Sequence, residues 1–168
     1  MKTTTNQKGV AEIISYIFII IIVGVVVGIT IQVIIPVIQS YQSQAKFKES
    51  NKIIDNIYNK IIELKNQPIG SSEELRLNLE NLYLNIYSET DKIEIYHITN
   101  EEYFENKLKI DDGLKYTFRD AQKLYIGLEF NDIDINSNLS SQNRITNLHF
   151  IKTDKNVIKI TEGLITED

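Results

Sequence analysis

From Ile13 to Ile38 the chain reads IISYIFIIIIVGVVVGITIQVIIPVI, with Ser15, Thr30 and Gln32 as its only strongly polar side chains. A helix crossing the hydrocarbon core of a bilayer needs roughly 20 predominantly apolar residues, and an uncharged run of about 18 or more meets that need. A soluble core helix would be shorter and apolar on one face only. This run therefore limits the chain ahead of any other feature. It is a segment suited to a bilayer, and the rest must be a domain of moderate size beyond it.

With 168 residues there is room for one span and one modest domain. The net charge of −5 is spread along the chain without a Lys/Arg-rich block, so nucleic acid is not an expected partner. Cysteine is absent, which excludes a disulfide framework, a thiolate nucleophile and a zinc–thiolate site, and leaves the compartment unmarked. His97 and His149 stand outside any ligand spacing, and a lone histidine in a strand pattern reads as a half-exposed sheet residue. There is no Gly-rich phosphate loop, no GxSxG and no carboxylate pair with an identifiable partner. The expectation is a protein that is not an enzyme and holds no cofactor or metal.

Residues 1–9, MKTTTNQKG, carry Lys2 and Lys8 and no acid, which keeps this end cytoplasmic and sends the rest across. A secretory signal peptide would have an apolar region of about 7–15 residues and a small-x-small cleavage site. Here the run is longer and leads into Pro36-Val37-Ile38-Gln39, so ordinary signal removal is not expected. An uncut single-pass anchor remains as one reading. The stretch Lys8-Gly9-Val10-Ala11-Glu12-Ile13-Ile14-Ser15 supports a more specific one. It resembles the class III signal of type IV pilins and pilin-like proteins, especially the archaeal branch, over residues 2 to about 38.

The resemblance implies cleavage by a prepilin peptidase at Gly9–Val10, with Lys8 as the basic recognition residue. Glycine suits such a site because no side chain blocks the approach to an extended backbone. It also implies that Glu12, in the first turn of the new helix, neutralises the freed Val10 amine of its own or a neighbouring subunit. An unpaired charge entering hydrocarbon is otherwise costly. In the bacterial pattern that acid lies fifth after the cut, whereas Glu12 would be third; the departure bears on the role of Glu12 more than on the family. The alternative for Glu12 is a plain first-turn acid at headgroup level.

Gly24 and Gly28 form a small-xxx-small pair that lets another helix approach closely, and Pro36 predicts a kink or loosened turn. Both fit the resemblance, and neither is specific to it. Beyond the span, Phe47, Ile54, Ile57, Tyr58 and Ile61 continue at helical spacing, widened by Ile53, Ile62 and Leu64. Gln67-Pro68-Ile69-Gly70 then stops the helix. The expected organisation is a leader over 1–9, a hydrophobic span over 10–38 and an amphipathic continuation over 39–66. The helix from about Val10 to Lys65 would be roughly 80 Å long at 1.5 Å per residue.

From Glu74 the period becomes two. Leu75, Leu77 and Leu79, then Leu82, Leu84 and Ile86, then Ile93, Ile95 and in phase His97, alternate with polar residues. Glu80-Asn81 and Ser88-Glu89-Thr90-Asp91 read as the turns between these strands. Lys107–Ile110, Asp111-Asp112-Gly113 and Leu114–Phe118 form a hairpin, followed by strands at 123–130, 145–152 and 157–161. The fold class is α+β: a long helix against an antiparallel sheet or small sandwich over 73–168.

Asp132-Ile133-Asp134-Ile135-Asn136-Ser137-Asn138 alternates oxygen ligands in the manner of a calcium loop but lacks the turning glycine, so Ile133 and Ile135 read as an inward strand face. Asn138-Leu139-Ser140 is a glycosylation sequon, Asn138 being expected in a surface loop. Of the nine tyrosines, Tyr83, Tyr87 and Tyr96 fall on the polar phase of strands and read as cross-strand packing, or else as an adhesive or subunit-contact surface.

The resemblance implies a structural subunit of a type IV pilus-like cell-surface filament. Its partners would be the membrane, the prepilin peptidase, an assembly platform, and further copies or other pilin subunits. The N-terminus would be cytoplasmic and the β domain outside. The reading from another class is a membrane-tethered external binding module that does not polymerise.

Overall fold

The computed structural model describes the backbone over 4–99, 105–142 and 144–163, and side chains within those ranges from residue 12 onward except at 138 and 142. The chain divides into two compact units, Met1–Gln42 and Ser43–Asp168. Helix α1 spans Thr4–Lys65 and runs through Pro36. It starts earlier than the expected Val10. Nothing in Thr4–Lys8 stops a helix, and one interior glycine costs only about 1 kcal/mol relative to alanine. The first turn consequently contains no acid, so Glu12 is a first-turn residue only in a chain cut at Gly9.

In the second unit, α1 up to Lys65 is followed, among the described residues, by ten strands. They are β1 (Ser72–Asn78), β2 (Tyr83–Tyr87), β3 (Lys92–Ile98), β4 (Asn106–Ile110) and β5 (Gly113–Asp120), then β6 (Lys123–Phe130), β7 (Asp134–Asn136), β8 (Asn138–Gln142), β9 (Ile145–Asp154) and β10 (Val157–Gly163). A six-stranded antiparallel sheet has the order β4-β5-β6-β3-β2-β8. A four-stranded sheet has the order β1-β9-β10-β7, with β7 parallel to β10. The α+β class holds, with one sheet antiparallel and the other mixed through its parallel β7–β10 pair.

One hydrophobic core joins the three layers. Ile54, Ile57, Ile61 and Leu64 of α1 are wholly buried in it, beside Leu84, Ile93, Ile95 and Ile126 of the larger sheet and Leu148, Phe150, Ile158 and Ile160 of the smaller. Burying each such side chain is worth about 1.5–3 kcal/mol, whereas an exposed ion pair such as Lys60–Glu63 contributes only tenths. Apolar burial therefore fixes which face of the helix meets the sheets.

Three sequence expectations need correction. Glu80-Asn81 does not close a hairpin: β1 pairs with β9 and β2 pairs with β3 and β8, so the turn passes between sheets. Leu79 and Leu82 are both fully buried there, Asn81 takes φ 58°, and the Leu79 N–H donates to the Arg144 carbonyl at 3.0 Å. Asn138 opens strand β8, opposite Tyr87, instead of lying in a loop. Gly113 is not a turn residue but the first of β5. A Cβ at Gly113 would stand 2.0 Å from the Glu129 carbonyl oxygen, so glycine there permits close strand approach.

The helix end is held by a buried lysine. Lys152, in β9, is 6% exposed, and its Nζ donates to the carbonyls of Lys65 at 2.5 Å and Gln67 at 2.6 Å. Those carbonyls have no helical partner, and a cation at a helix C-terminus is favoured by the dipole. A second polar node is Glu162 of β10. Its carboxylate accepts from Arg144 at 2.7 Å, Thr146 of β9 at 2.5 Å and Ser141 of β8 at 3.4 Å, so it ties the edge strand β8 of the larger sheet to β9 and β10 of the smaller.

Candidate functional site

The side chains of α1 from Ile13 to Ile38 have almost no cover within the chain. Ile20 is 70% exposed, Phe18 61% and Val33 58%. With a mean hydropathy of 3.0 over its most apolar window, this helix is long and apolar enough to cross a membrane. A surface of this kind in water would be an aggregation liability, and a bilayer is one setting that would cover it.

Lys8, Gly9 and Val10 lie in the helical backbone of α1, and their side chains fall outside the described residues. Glu12 is exposed. A Cβ at Gly24 or Gly28 would meet nothing within 4 Å, so neither glycine is required by packing within the chain. Thr30 returns its hydroxyl to the Val26 carbonyl at 2.8 Å, the local bond by which a helix accommodates a hydroxyl without water.

The β domain presents a different surface on the outward face of the six-stranded sheet. Tyr83, Tyr96, Tyr125 and Phe118 form a row across β2, β3, β6 and β5. Ring centroids lie 4.6 Å apart for Tyr83–Tyr96, 5.0 Å for Tyr96–Tyr125 and 4.6 Å for Phe118–Tyr125. Lys123 Nζ sits 4.8 Å from the Tyr96 centroid. The rings cover one another's faces, as cross-strand packing requires, and leave little flat aromatic surface for a planar ligand.

Beside this row Tyr116 crosses Gly127, where a Cβ would come within 2.5 Å of its ring, and donates to Glu94 Oε1 at 2.6 Å. Burial, then the bond to the Glu94 carboxylate, raises the Tyr116 phenol well above its usual range. Tyr116, Glu94, Lys92, Glu105, Lys107 and Glu129 line part of an open cleft of about 380 Å³. Tyr116 of β5 reaches across its partner Gly127 of β6 to Glu94 of β3, which is paired with the same glycine; that alignment depends on register, which the sequence does not state.

Of the two histidines, His149 is half-buried and pairs with Glu74 at 3.1 Å, in line with its expected sheet position. His97 departs from expectation. It is wholly buried, and neither ring nitrogen has a hydrogen-bond partner. Burial, reinforced by the nearby Lys46 charge, pushes its pKa down to about 4. Ser50 on α1 is also buried with its hydroxyl unpartnered, while Ser43 and Thr99 hydrogen-bond each other at 2.6 Å. The burial of His97 escaped sequence reasoning because the histidine was judged by type, although its phase with Ile93 and Ile95 pointed inward.

Ile133 and Ile135 are buried as an inward face, and Asp134 and Asn136 lie in β7. Among the described residues no group of three or more His, Cys, Asp or Glu could hold a metal ion. Compared with family models, with curated proteins and with solved structures, the chain matches none of them.

Proposed function

We propose that the chain is a structural subunit of a type IV pilus-like cell-surface filament. A prepilin peptidase removes residues 1–9 after Lys8-Gly9, and the apolar part of α1 exchanges lipid for the same helices of neighbouring subunits. The N-terminus begins on the cytoplasmic side, and the β domain faces outward. Gly24, Gly28 and Pro36 belong to the packed helices, Glu12 balances the Val10 amine, and Asn138 is the candidate glycan acceptor. The observation that carries this reading is that one helix is exposed and apolar on all sides from Ile13 to Ile38, yet buries a single stripe in the β core from Ile53 to Leu64. Two solvents for one helix is what a subunit stored in a membrane and assembled through that helix requires.

N-terminal sequencing of the native protein tests this directly. The chain should begin at Val10, and a Met1 start refutes the proposal. The open cleft bounded by Lys92, Glu94 and Tyr116 favours a second reading, a membrane-tethered binding module that does not polymerise. Shearing cells separates the two: filament subunits are released with the sheared material, whereas a tethered module stays with the membranes.

A further inference from the structure

We infer that Gln32 is the hydrogen-bonding node through which two copies of this chain associate, with Gly24 and Gly28 on the same line of α1 allowing close approach. The inference rests on the reading of this segment as one that lies in hydrocarbon.

The polar residues within the run are not equivalent. Ser15 lies near its start, at headgroup depth. Thr30 satisfies its own hydroxyl on the Val26 carbonyl. The side chain of Gln32 is exposed and makes no hydrogen bond within the chain. An amide carries two N–H donors and an acceptor oxygen, so it has more to satisfy than a hydroxyl. The backbone adds to this at the same residue. Pro36 lies within the helix and has no N–H, so the Gln32 carbonyl lacks the donor that residue i+4 normally supplies. One position thus presents an unpartnered amide and an unpartnered main-chain carbonyl, and hydrocarbon can satisfy neither.

Several features identify the occupant as a second copy. Lipid tails offer no donors or acceptors. Copies inserted with the same topology place Gln32 at the same depth, and the group is self-complementary. The amide of one copy donates to the Gln32 carbonyl or amide oxygen of the other, and the reciprocal bond forms by symmetry. The helix surface around it is suited to this. Gly24 and Gly28 precede Gln32 by about two turns and one turn, and the three lie within an arc of about 80°. A Cβ at either glycine would meet nothing within 4 Å, so the missing side chains serve no packing inside the chain and leave room for another helix.

The chain has no cysteine, so single-cysteine variants report contacts without interference. The full chain is reconstituted in phosphatidylcholine/phosphatidylglycerol vesicles and oxidised. Ile21→Cys and Ile35→Cys, on the Gln32 line, should form disulfide-linked dimers. Val26→Cys and Val33→Cys, on the opposite side, should not. In resonance-energy-transfer dilution in the same vesicles, Gln32→Leu should weaken association on the order of tenfold, while Gln32→Asn, which keeps the amide, should stay within about threefold of the parent. Unchanged association in Gln32→Leu, or cross-linking as strong from Val26→Cys and Val33→Cys, overturns the inference. Retention after alkaline carbonate extraction is scored first. A chain that washes off the vesicles refutes the membrane reading and this contact with it, whereas an embedded chain indifferent to Gln32 refutes the contact alone.

Discussion

Replacing His97 by leucine should remove most of an acid sensitivity built into the β domain. In the folded chain the imidazole is buried without a partner for either nitrogen, and its pKa lies at about 4, against 6.5 for an unperturbed histidine. Below pH 6.5 the unfolded chain binds a proton that the folded chain refuses, so stability falls with pH, and it continues to fall until about pH 4. Above pH 6.5 the group contributes no slope. A gap of that size corresponds to about 3 kcal/mol, at no more than about 1.4 kcal/mol per pH unit. Lys46 adds to the effect, because a second positive charge nearby disfavours the imidazolium. Urea unfolding of the full chain in detergent, followed by tyrosine absorbance from pH 7.5 to 4, measures this. Carboxylates titrate in the same range, so the informative quantity is parent minus His97→Leu, in which their shared contribution cancels. At pH 7 the variant should also be about 1–3 kcal/mol more stable, since it no longer buries unpartnered polar atoms. Parallel pH profiles for the two proteins would refute the reasoning.

Two further substitutions test the packing described for the β domain. Gly127→Ala puts a methyl group into the Tyr116 ring and should cost about 1–3 kcal/mol while breaking the bond to Glu94, read as a fall of the Tyr116 phenol pKa toward its ordinary value in ultraviolet titration. Lys152→Met strips the carbonyls of Lys65 and Gln67 of their donor; a loss of about 2–4 kcal/mol, with faster amide exchange confined at first to the last turns of α1, is expected in hydrogen-exchange mass spectrometry.

Periodicity proved the dependable signal in the sequence, and it reports which face a residue takes rather than which strand it meets. Leu75, Leu77, Leu82, Leu84 and Ile86 alternated clearly, and their inward face follows from that. Yet Leu77 and Leu84 end in different sheets, because β1 finds its partner in β9, far along the chain. A short turn between two alternating runs suggests a hairpin, whereas here the buried Leu79 and Leu82 make it a corner of the core. His97 carries the complementary lesson: its phase with Ile93 and Ile95 outweighed the usual exposure of its residue type. Lys152 was legible in neither way. An alternating strand gives no warning that a lysine on its inward face will find two helix carbonyls.

The same reasoning explains why the apolar end of α1 is the more informative half. Between Ile53 and Leu64 a stripe of isoleucine and leucine meets polar residues on the other faces, and the chain itself supplies the cover. Between Ile13 and Ile38 there is no polar face to leave in water, and the chain supplies almost no cover. An amphipathic helix can be completed by its own domain, but one apolar all round must be completed by something else. Lipid alone would accept any sequence of aliphatic residues there. It gives no reason for two glycines without internal neighbours, or for an amide and an orphaned carbonyl at one residue. Those departures from a plain lipid-facing surface are what a second helix would use, and on the reading we propose Gly24, Gly28 and Gln32, rather than hydrophobicity alone, would give this segment its specificity.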